Sequence, residues 1–169
     1  MANQLLHRGP DDEGVWADAN VGIAFGFRRL AILDLSPAGH QPMNSADGRY
    51  WIIFNGEIYN FISLRQELQS YGHTFRGNSD TEVILAAMVQ WGISSAIQRF
   101  NGMFACALWD RRERRLLLIR DRFGIKPLYL ARCDNVVVFG SEIKALLAHG
   151  ALKAEMDFEA LGEYLTFQN

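Results

Sequence analysis

Residues 103–140 read, in succession, MFACALWD, RRERR, LLLIR, DRFGIKP, LYLAR, CDN and VVVFG. Four short apolar runs, Met103 to Asp110, Leu116 to Arg120, Leu128 to Arg132 and Val136 to Gly140, are separated by polar or turn-forming connections. Runs of this length are strands. Their connections are shorter than the dozen or so residues that a parallel crossover needs, so neighbouring strands must run in opposite directions. The stretch predicts antiparallel hairpins.

Working outward, Val21 to Phe27 alternates glycine with apolar residues, and Arg29 to Asp34 continues as a second apolar run. Together they predict two short strands or one bent strand. Leu35 to Gly48 reads as a loop with Pro37, Gly39 and Pro42, closing on an Asp47-Gly48 pair that predicts a hairpin into a strand from Tyr50 to Phe54. From Asn60 to Tyr71, the residues Phe61, Leu64, Leu68 and Tyr71 recur with helical spacing, and Gly72 is placed to end that helix. Ser79-Asp80-Thr81-Glu82 is a capping-box pattern, opening a helix whose Ile84, Ala87, Met88 and Trp91 form one apolar stripe. Trp91 is read as core. Ser141 to Leu147 and Asp157 to Leu165 predict two more helices, each with a capping residue at its start. Strands, then helices, then strands and a helix make an α+β layered domain rather than alternating parallel units.

Composition agrees with one packed domain. The chain has 169 residues, 49% hydrophobic, 12% aromatic and 21% charged, which suffices for a substantial core. Lysine and arginine total 17 against 19 aspartates and glutamates, a net charge of -2. A field that holds nucleic acid or anionic lipid is therefore excluded as the main source of affinity. No apolar run approaches the roughly 18 residues that cross a bilayer, and residues 1–13 carry no signal core. The expected compartment is the cytoplasm. Cys106 and Cys133 form no Cys-x-x-Cys pair, and none of His7, His40, His73 and His149 stands at ligand spacing, so no metal site is expected. Phosphate-loop, dinucleotide and zinc-protease patterns are lacking as well.

Polar clusters beside the strands suggest chemistry. Asn55 can offer its side-chain amide, and Gly56 its backbone N–H, to one developing oxyanion. Arg29 carries a planar fork suited to a carboxylate, and Asp80 an acceptor suited to an ammonium group. An oxyanion hole with both of these partners describes a site for hydrolysing or transferring the side-chain amide of an α-amino acid. That chemistry also needs an activated Cys, Ser or Thr. Cys106, inside an apolar strand, reads as a small core residue, and Cys133 lies in a hairpin turn; neither has a base in its segment.

Seven motifs then occur in order: His7-Arg8-Gly9-Pro10-Asp11, Arg29-Leu30-Ala31-Ile32, Phe54-Asn55-Gly56-Glu57-Ile58-Tyr59-Asn60, Ser79-Asp80-Thr81-Glu82-Val83, Asn101-Gly102-Met103-Phe104-Ala105, Arg120-Asp121-Arg122-Phe123-Gly124-Ile125-Lys126-Pro127-Leu128-Tyr129 and Ser141-Glu142-Ile143-Lys144-Ala145-Leu146. Over nearly the whole chain they resemble the glutaminase domain of glutamine-hydrolysing asparagine synthases, a class II glutamine amidotransferase. The resemblance implies an N-terminal-nucleophile hydrolase fold, a four-layer αββα sandwich of two antiparallel sheets with helices outside.

In that family the mature chain starts with a cysteine whose thiol attacks the glutamine amide, its own α-amino group acting as base. By the same resemblance Arg29 holds the glutamine α-carboxylate and Asp80 the α-amino group. Glu57 assists substrate binding, Asn55 and Gly56 form the oxyanion hole, and the backbone of Leu30, Ala31 and Ile32 lines the pocket. Position 1 here is Met, so the expectation is a fold lacking its first strand, with no nucleophile, inactive alone and prone to associate, a homodimer included. Residues 1–150 are expected to be the amidotransferase domain, and 151–169 the start of a linker toward a synthetase domain. The implied partners are glutamine and that synthetase domain, with no nucleic acid and no membrane. ATP and Mg belong only to the synthetase domain, and this domain takes no cofactor. Two other readings stay open: a non-catalytic glutamine-binding or scaffold module, and the amidotransferase domain of an asparagine-synthase-like paralogue with another ammonia acceptor.

Overall fold

The computed structural model describes residues 1–167. In chain order the strands are β1 (Asp12–Asp18), β2 (Ile23–Arg29), β3 (Met43–Asn44), β4 (Tyr50–Ile58), β5 (Gly102–Asp110), β6 (Arg115–Arg120), β7 (Tyr129–Cys133) and β8 (Val136–Gly140). The helices are α1 (Phe61–Ser70), α2 (Asp80–Trp91), α3 (Ile93–Arg99), α4 (Ile143–Leu147) and α5 (Phe158–Phe167), preceded by a 3-10 helix over Ala2–Arg8.

The central sheet has the order β3-β4-β5-β6, all antiparallel. β4 and β5 pair along their full length, with Ile52 opposite Leu108 and Phe54 opposite Cys106. Strand periodicity sorts these residues onto two faces. Ile52, Phe54, Ile58, Phe104, Cys106 and Leu108 join Leu64 and Leu68 of α1, Val83, Ile84, Ala87 and Met88 of α2, and Ala96 of α3 in one buried core. Trp51, Ile53, Ala107, Trp109, Leu116 and Leu118 point the other way and meet Trp16, Ile23, Phe25 and Phe139.

Local chemistry explains the elements that position the site. Asp47-Gly48 makes the expected turn before β4, with Gly48 at φ +71° and the Tyr50 N–H donating to Ser45 Oγ at 2.9 Å. Ser79 caps α2, its hydroxyl accepting from the Glu82 N–H at 3.3 Å. The reciprocal half of the capping box is replaced. The Glu82 carboxylate instead accepts from the N–H groups of Arg76, at 3.1 Å, and Gly77, at 2.7 Å, so it organises the approach to the helix.

Four sequence expectations need correction. The second layer is not one sheet. β1 pairs only with β2 and β7 only with β8, so two separate ribbons cover the central sheet, touching edge to face through Phe25 and Phe139 at 6.0 Å. β2 and β8 both line a groove that Ile53, Ala105 and Ala107 of the central sheet also border, and among the described residues no ladder joins the two strands. Asp12–Asp18 forms β1 where no strand was expected, while the Arg29–Asp34 run leaves the ladder after Arg29 and continues as a loop. Its groups go elsewhere: the Ala31 N–H donates to Asp11 Oδ2 at 2.8 Å, and the Asp34 carbonyl accepts from Arg29. Side-chain partners thus outcompete strand pairing. At the later helices, Asp157 caps α5 as expected through the N–H groups of Glu159 and Ala160, whereas α4 starts after Glu142 with no side-chain cap.

The layers are helices α1 to α3, the central sheet, the pair of ribbons, and an outer layer in which Leu146 of α4 packs over Gly140. α5 buries none of its residues. Among the described residues no helix is long and apolar enough to cross a membrane, and no group of three or more His, Cys, Asp or Glu is placed to hold a metal ion.

Candidate active site

A cavity of about 800 Å³ is bordered by β2, β8, the ribbon-side face of β4 and β5, and the N-terminus of α2. Arg29, Leu30, Ile32, Asn55, Gly56, Glu57 and Asp80 all line it. These residues come from positions up to 51 apart in sequence (29 to 80).

Asn55 and Gly56 lie at the end of β4, opposite Ala105 and Phe104. The Asn55 Nδ2 is buried and has no hydrogen-bond partner. An orphaned buried amide donor is costly, and it marks a place where a ligand oxygen is welcome. Gly56 is required by close approach: a Cβ there would stand 2.2 Å from the Met103 carbonyl oxygen, and φ is +153°.

Arg29 ends β2 and is only 9% exposed. Its Nη1 donates to the Ser36 carbonyl at 3.1 Å and its Nη2 to the Asp34 carbonyl. Gly39 makes room, since a Cβ there would lie 2.0 Å from Nη2. Two neutral carbonyls orient the guanidinium, and although the Asp34 carboxylate is near enough to feel its charge, no ion pair among the described residues engages Arg29 directly.

Asp80 is the first residue of α2, and its Oδ2 accepts from the Ile58 N–H at 3.0 Å. Burial pushes its carboxyl above the usual range, and the nearby Glu57 charge adds to the rise. A buried carboxylate with a second carboxylate beside it is a site in want of a cation. Glu57 itself is half-buried on β4.

Leu30 and Ile32 border the cavity, but Ala31 does not, and its N–H is committed to Asp11. The Asp11 N–H also donates to the Arg29 carbonyl at 3.0 Å. Of the same N-terminal motif, His7 and Arg8 bond to Glu142 at 2.9 and 3.2 Å, with Lys144 on its other oxygen at 3.2 Å. That cluster ties the 3-10 helix to α4. Asp121 organises the 121–127 loop: its carboxyl is held low despite burial by N–H bonds from Ile125, Lys126, Phe104 and Phe123.

Three neighbouring residues have roles that the sequence did not assign. Buried Gln41 accepts from the Phe54 N–H at 2.7 Å, fixing β4 just before Asn55. Thr81 lies 3.4 Å from Gln41 Nε2. Asp34 stands between the Arg29 loop and the entry to α2. Only the Asp-x-Ser spacing of Asp34 and Ser36, which favours a side-chain-capped turn, hinted at the last of these.

Neither cysteine suits nucleophilic attack. Cys106 lies in the helix-side core, where burial pushes its thiol up to about 12, so it is protonated at neutral pH. Cys133 ends β7, its thiol donating to the Ala151 carbonyl at 3.0 Å.

Comparison with known proteins settles the family. The family model described as a glutamine amidotransferase domain matches residues 1–169. The chain belongs to the glutamine amidotransferase domain family. It is 46% identical over 168 residues to asparagine synthetase [glutamine-hydrolyzing] 1 of Bacillus subtilis (strain 168), covering 99% of this chain and 26% of that protein. It is 43% identical over 165 residues to asparagine synthetase [glutamine-hydrolyzing] 3 of the same strain, covering 96% and 26%. The amidotransferase chain thus spans about a quarter of the length of these relatives. A solved structure of glutamine phosphoribosylpyrophosphate amidotransferase from B. subtilis, complexed with ADP and GMP, superposes with a TM-score of 0.63 at 25% identity, covering 72% of this chain and 28% of that one. The fold is the amidotransferase α+β sandwich, with its second β layer divided here into ribbons.

Proposed function

We propose that the cavity binds L-glutamine and that the chain is the glutaminase portion of a glutamine-dependent asparagine synthase. The observation that carries this reading is the orphaned Asn55 Nδ2 in a cavity that also holds the buried Arg29 guanidinium and a charge-starved Asp80. Arg29 takes the α-carboxylate and Asp80, helped by Glu57, the α-ammonium group. Asn55 Nδ2 and the Gly56 N–H take the side-chain carbonyl oxygen as it becomes an oxyanion. Leu30 and Ile32 close the pocket wall.

Breaking the amide C–N bond releases ammonia, which the reading passes to aspartate activated by ATP in a synthetase portion; ATP and Mg belong there, and the glutaminase chain takes no cofactor. Phe158, Tyr164 and Phe167 of α5 are exposed, which supports residues 151–169 as the start of the connection to that portion. Both cysteines are free thiols, in keeping with a reducing cytoplasm. Because Cys106 is protonated in the core and Cys133 does not line the cavity, the 169-residue chain binds glutamine without hydrolysing it. Calorimetric titration with L-glutamine tests the binding, and ammonia release tests the inactivity. Absence of heat, or saturable ammonia production by this chain, would overturn the respective half.

A further inference from the structure

Asp34 has a use that neither burial nor loop packing requires. It is 6% exposed, and its two carboxylate oxygens are divided between two segments. Oδ1 accepts from the Ser36 N–H at 2.8 Å, and Oδ2 accepts from the Asn78 N–H at 2.6 Å, 44 positions away in sequence. Its main-chain carbonyl, with that of Ser36, seats the two Nη atoms of Arg29. Asn78 immediately precedes the Ser79 cap, and Asp80 follows. One side chain therefore joins the platform under Arg29 to the platform that carries Asp80.

The local design protects that join. Gly77 passes so close that a Cβ would stand 2.4 Å from Asp34 Oδ2, and its N–H is held by Glu82 and its carbonyl by Arg65. The Asp34 carboxyl is kept below the usual range by its bond to Ser36 and by the Asn78 N–H. Each oxygen accepts from a backbone donor, which fixes the orientation of the Asp34 carboxylate at the border of the cavity.

We propose that Asp34 is a positioning residue that sets the separation between Arg29 and Asp80, and so selects ligands carrying an α-carboxylate and an α-ammonium on one carbon. This rests on the glutamine reading and adds to it a device for measuring the headgroup. Without the bridge each charged end still forms, but the two no longer stand at the spacing of an α-amino acid. A displacement of about 1 Å between groups that must act together can cost roughly a hundredfold.

The test uses the full chain and three probes. L-Glutamine carries both headgroup charges, 4-carbamoylbutanoate lacks the amino group, and 4-aminobutanamide lacks the carboxylate. Asp34→Asn is expected to weaken L-glutamine by at least about tenfold while changing either one-ended probe by less than about threefold. Gly77→Ala, which pushes on the same bridge from the other side, should give the same pattern, and it stands in if Asp34→Asn does not fold. Arg29→Ala and Asp80→Asn each should weaken the one-ended probe that uses that end. An Asp34→Asn or Gly77→Ala variant that binds L-glutamine like the parent, or that weakens all three probes equally, overturns the positioning role while leaving the glutamine reading intact. A parent chain that ignores all three probes overturns both. Amide exchange on the parent provides a check free of variants: the Asn78 N–H should be protected and become more so with L-glutamine, and an unprotected Asn78 would overturn the bridge.

Discussion

The two faces of the central sheet are built by the same strands and do different work. On the helix face, β4 and β5 contribute to a continuous core with α1, α2 and α3. On the ribbon face the buried cluster shrinks to Phe25, Ala107 and Trp109, with partly buried aromatic residues around it, and the large cavity opens beside it. Ile52 and Ile53 are neighbours in sequence, yet the first belongs to the helix-side core and the second borders the cavity. The lesson is a division of labour: the helix face supplies stability, which lets the cavity beside the ribbons hold an orphaned amide and a crowded glycine on β4 and a buried carboxylate at the start of α2.

The comparison breaks first on packing. Leu68, fully buried against the central core, should cost about 3 kcal/mol of folding free energy when changed to alanine, within the range for such truncations. Ile53→Ala, on the cavity side, should cost clearly less. Urea denaturation of both variants decides, and equal losses would deny the asymmetry.

Asp80→Asn sharpens it. Loss of the charged acceptor should weaken L-glutamine by about a hundredfold, the cost of leaving a charged group unpaired. Stability should move the other way. The folded-state pKa of Asp80 is raised above 3.8, so between 3.8 and that raised value the folded chain holds more protons than the unfolded one, and stability falls as pH rises through this window. Asparagine removes that penalty, so the variant should gain stability relative to the parent at pH 7 and lose the advantage near pH 3. A variant less stable than the parent at pH 7 by urea midpoint would count against a strained functional carboxylate.

A smaller effect concerns the thiols. With its pKa pushed up to about 12 and its side chain in the core, Cys106 should resist iodoacetamide in the native chain at pH 8, while half-buried Cys133 is alkylated. Peptide mapping by mass spectrometry, with and without denaturant, separates the two. Labelling of Cys106 at the rate of Cys133 would mean that the helix face is not sealed.

The smallest effect lies at the outer layer. His7, Lys144 and Arg8 hold the Glu142 carboxyl down to about 2. Its contribution to fastening the 3-10 helix is present above the unfolded value of 4.5 and is lost as pH falls through about 2. Protection of the Ala2–Arg8 amides, corrected for the intrinsic pH dependence of exchange, should therefore decline progressively from pH 4.5 toward 2, and Glu142→Gln should lower it already at neutral pH.

What could be read from the chain alone was whatever short-range chemistry enforces. The Asp47-Gly48 turn, the Ser79 cap and the hairpins of residues 103–140 each depend on a few adjacent residues, so their patterns survive in one dimension. Strand β1 was not visible, because Asp12 to Asp18 is mostly polar or small and acquires its role only when Trp16 stacks on Trp51 at 4.5 Å. The Arg29–Asp34 run looked like a strand, and apolar content could not reveal that the Arg29 guanidinium would claim two carbonyls of the following loop.

By itself the sequence determined the α+β class and the antiparallel hairpins, since these follow from local periodicity, turn chemistry and residue type, while the residues expected around the site rested on ordered motifs shared with a family. Only the tertiary structure decided that the second β layer is two ribbons, that Asn55 keeps an unpaired amide, and that Asp34 ties the Arg29 loop to the start of α2. Each of those depends on which backbone groups meet across long stretches of chain, and a hydrogen bond between residues 34 and 78 leaves no trace in the order of either segment.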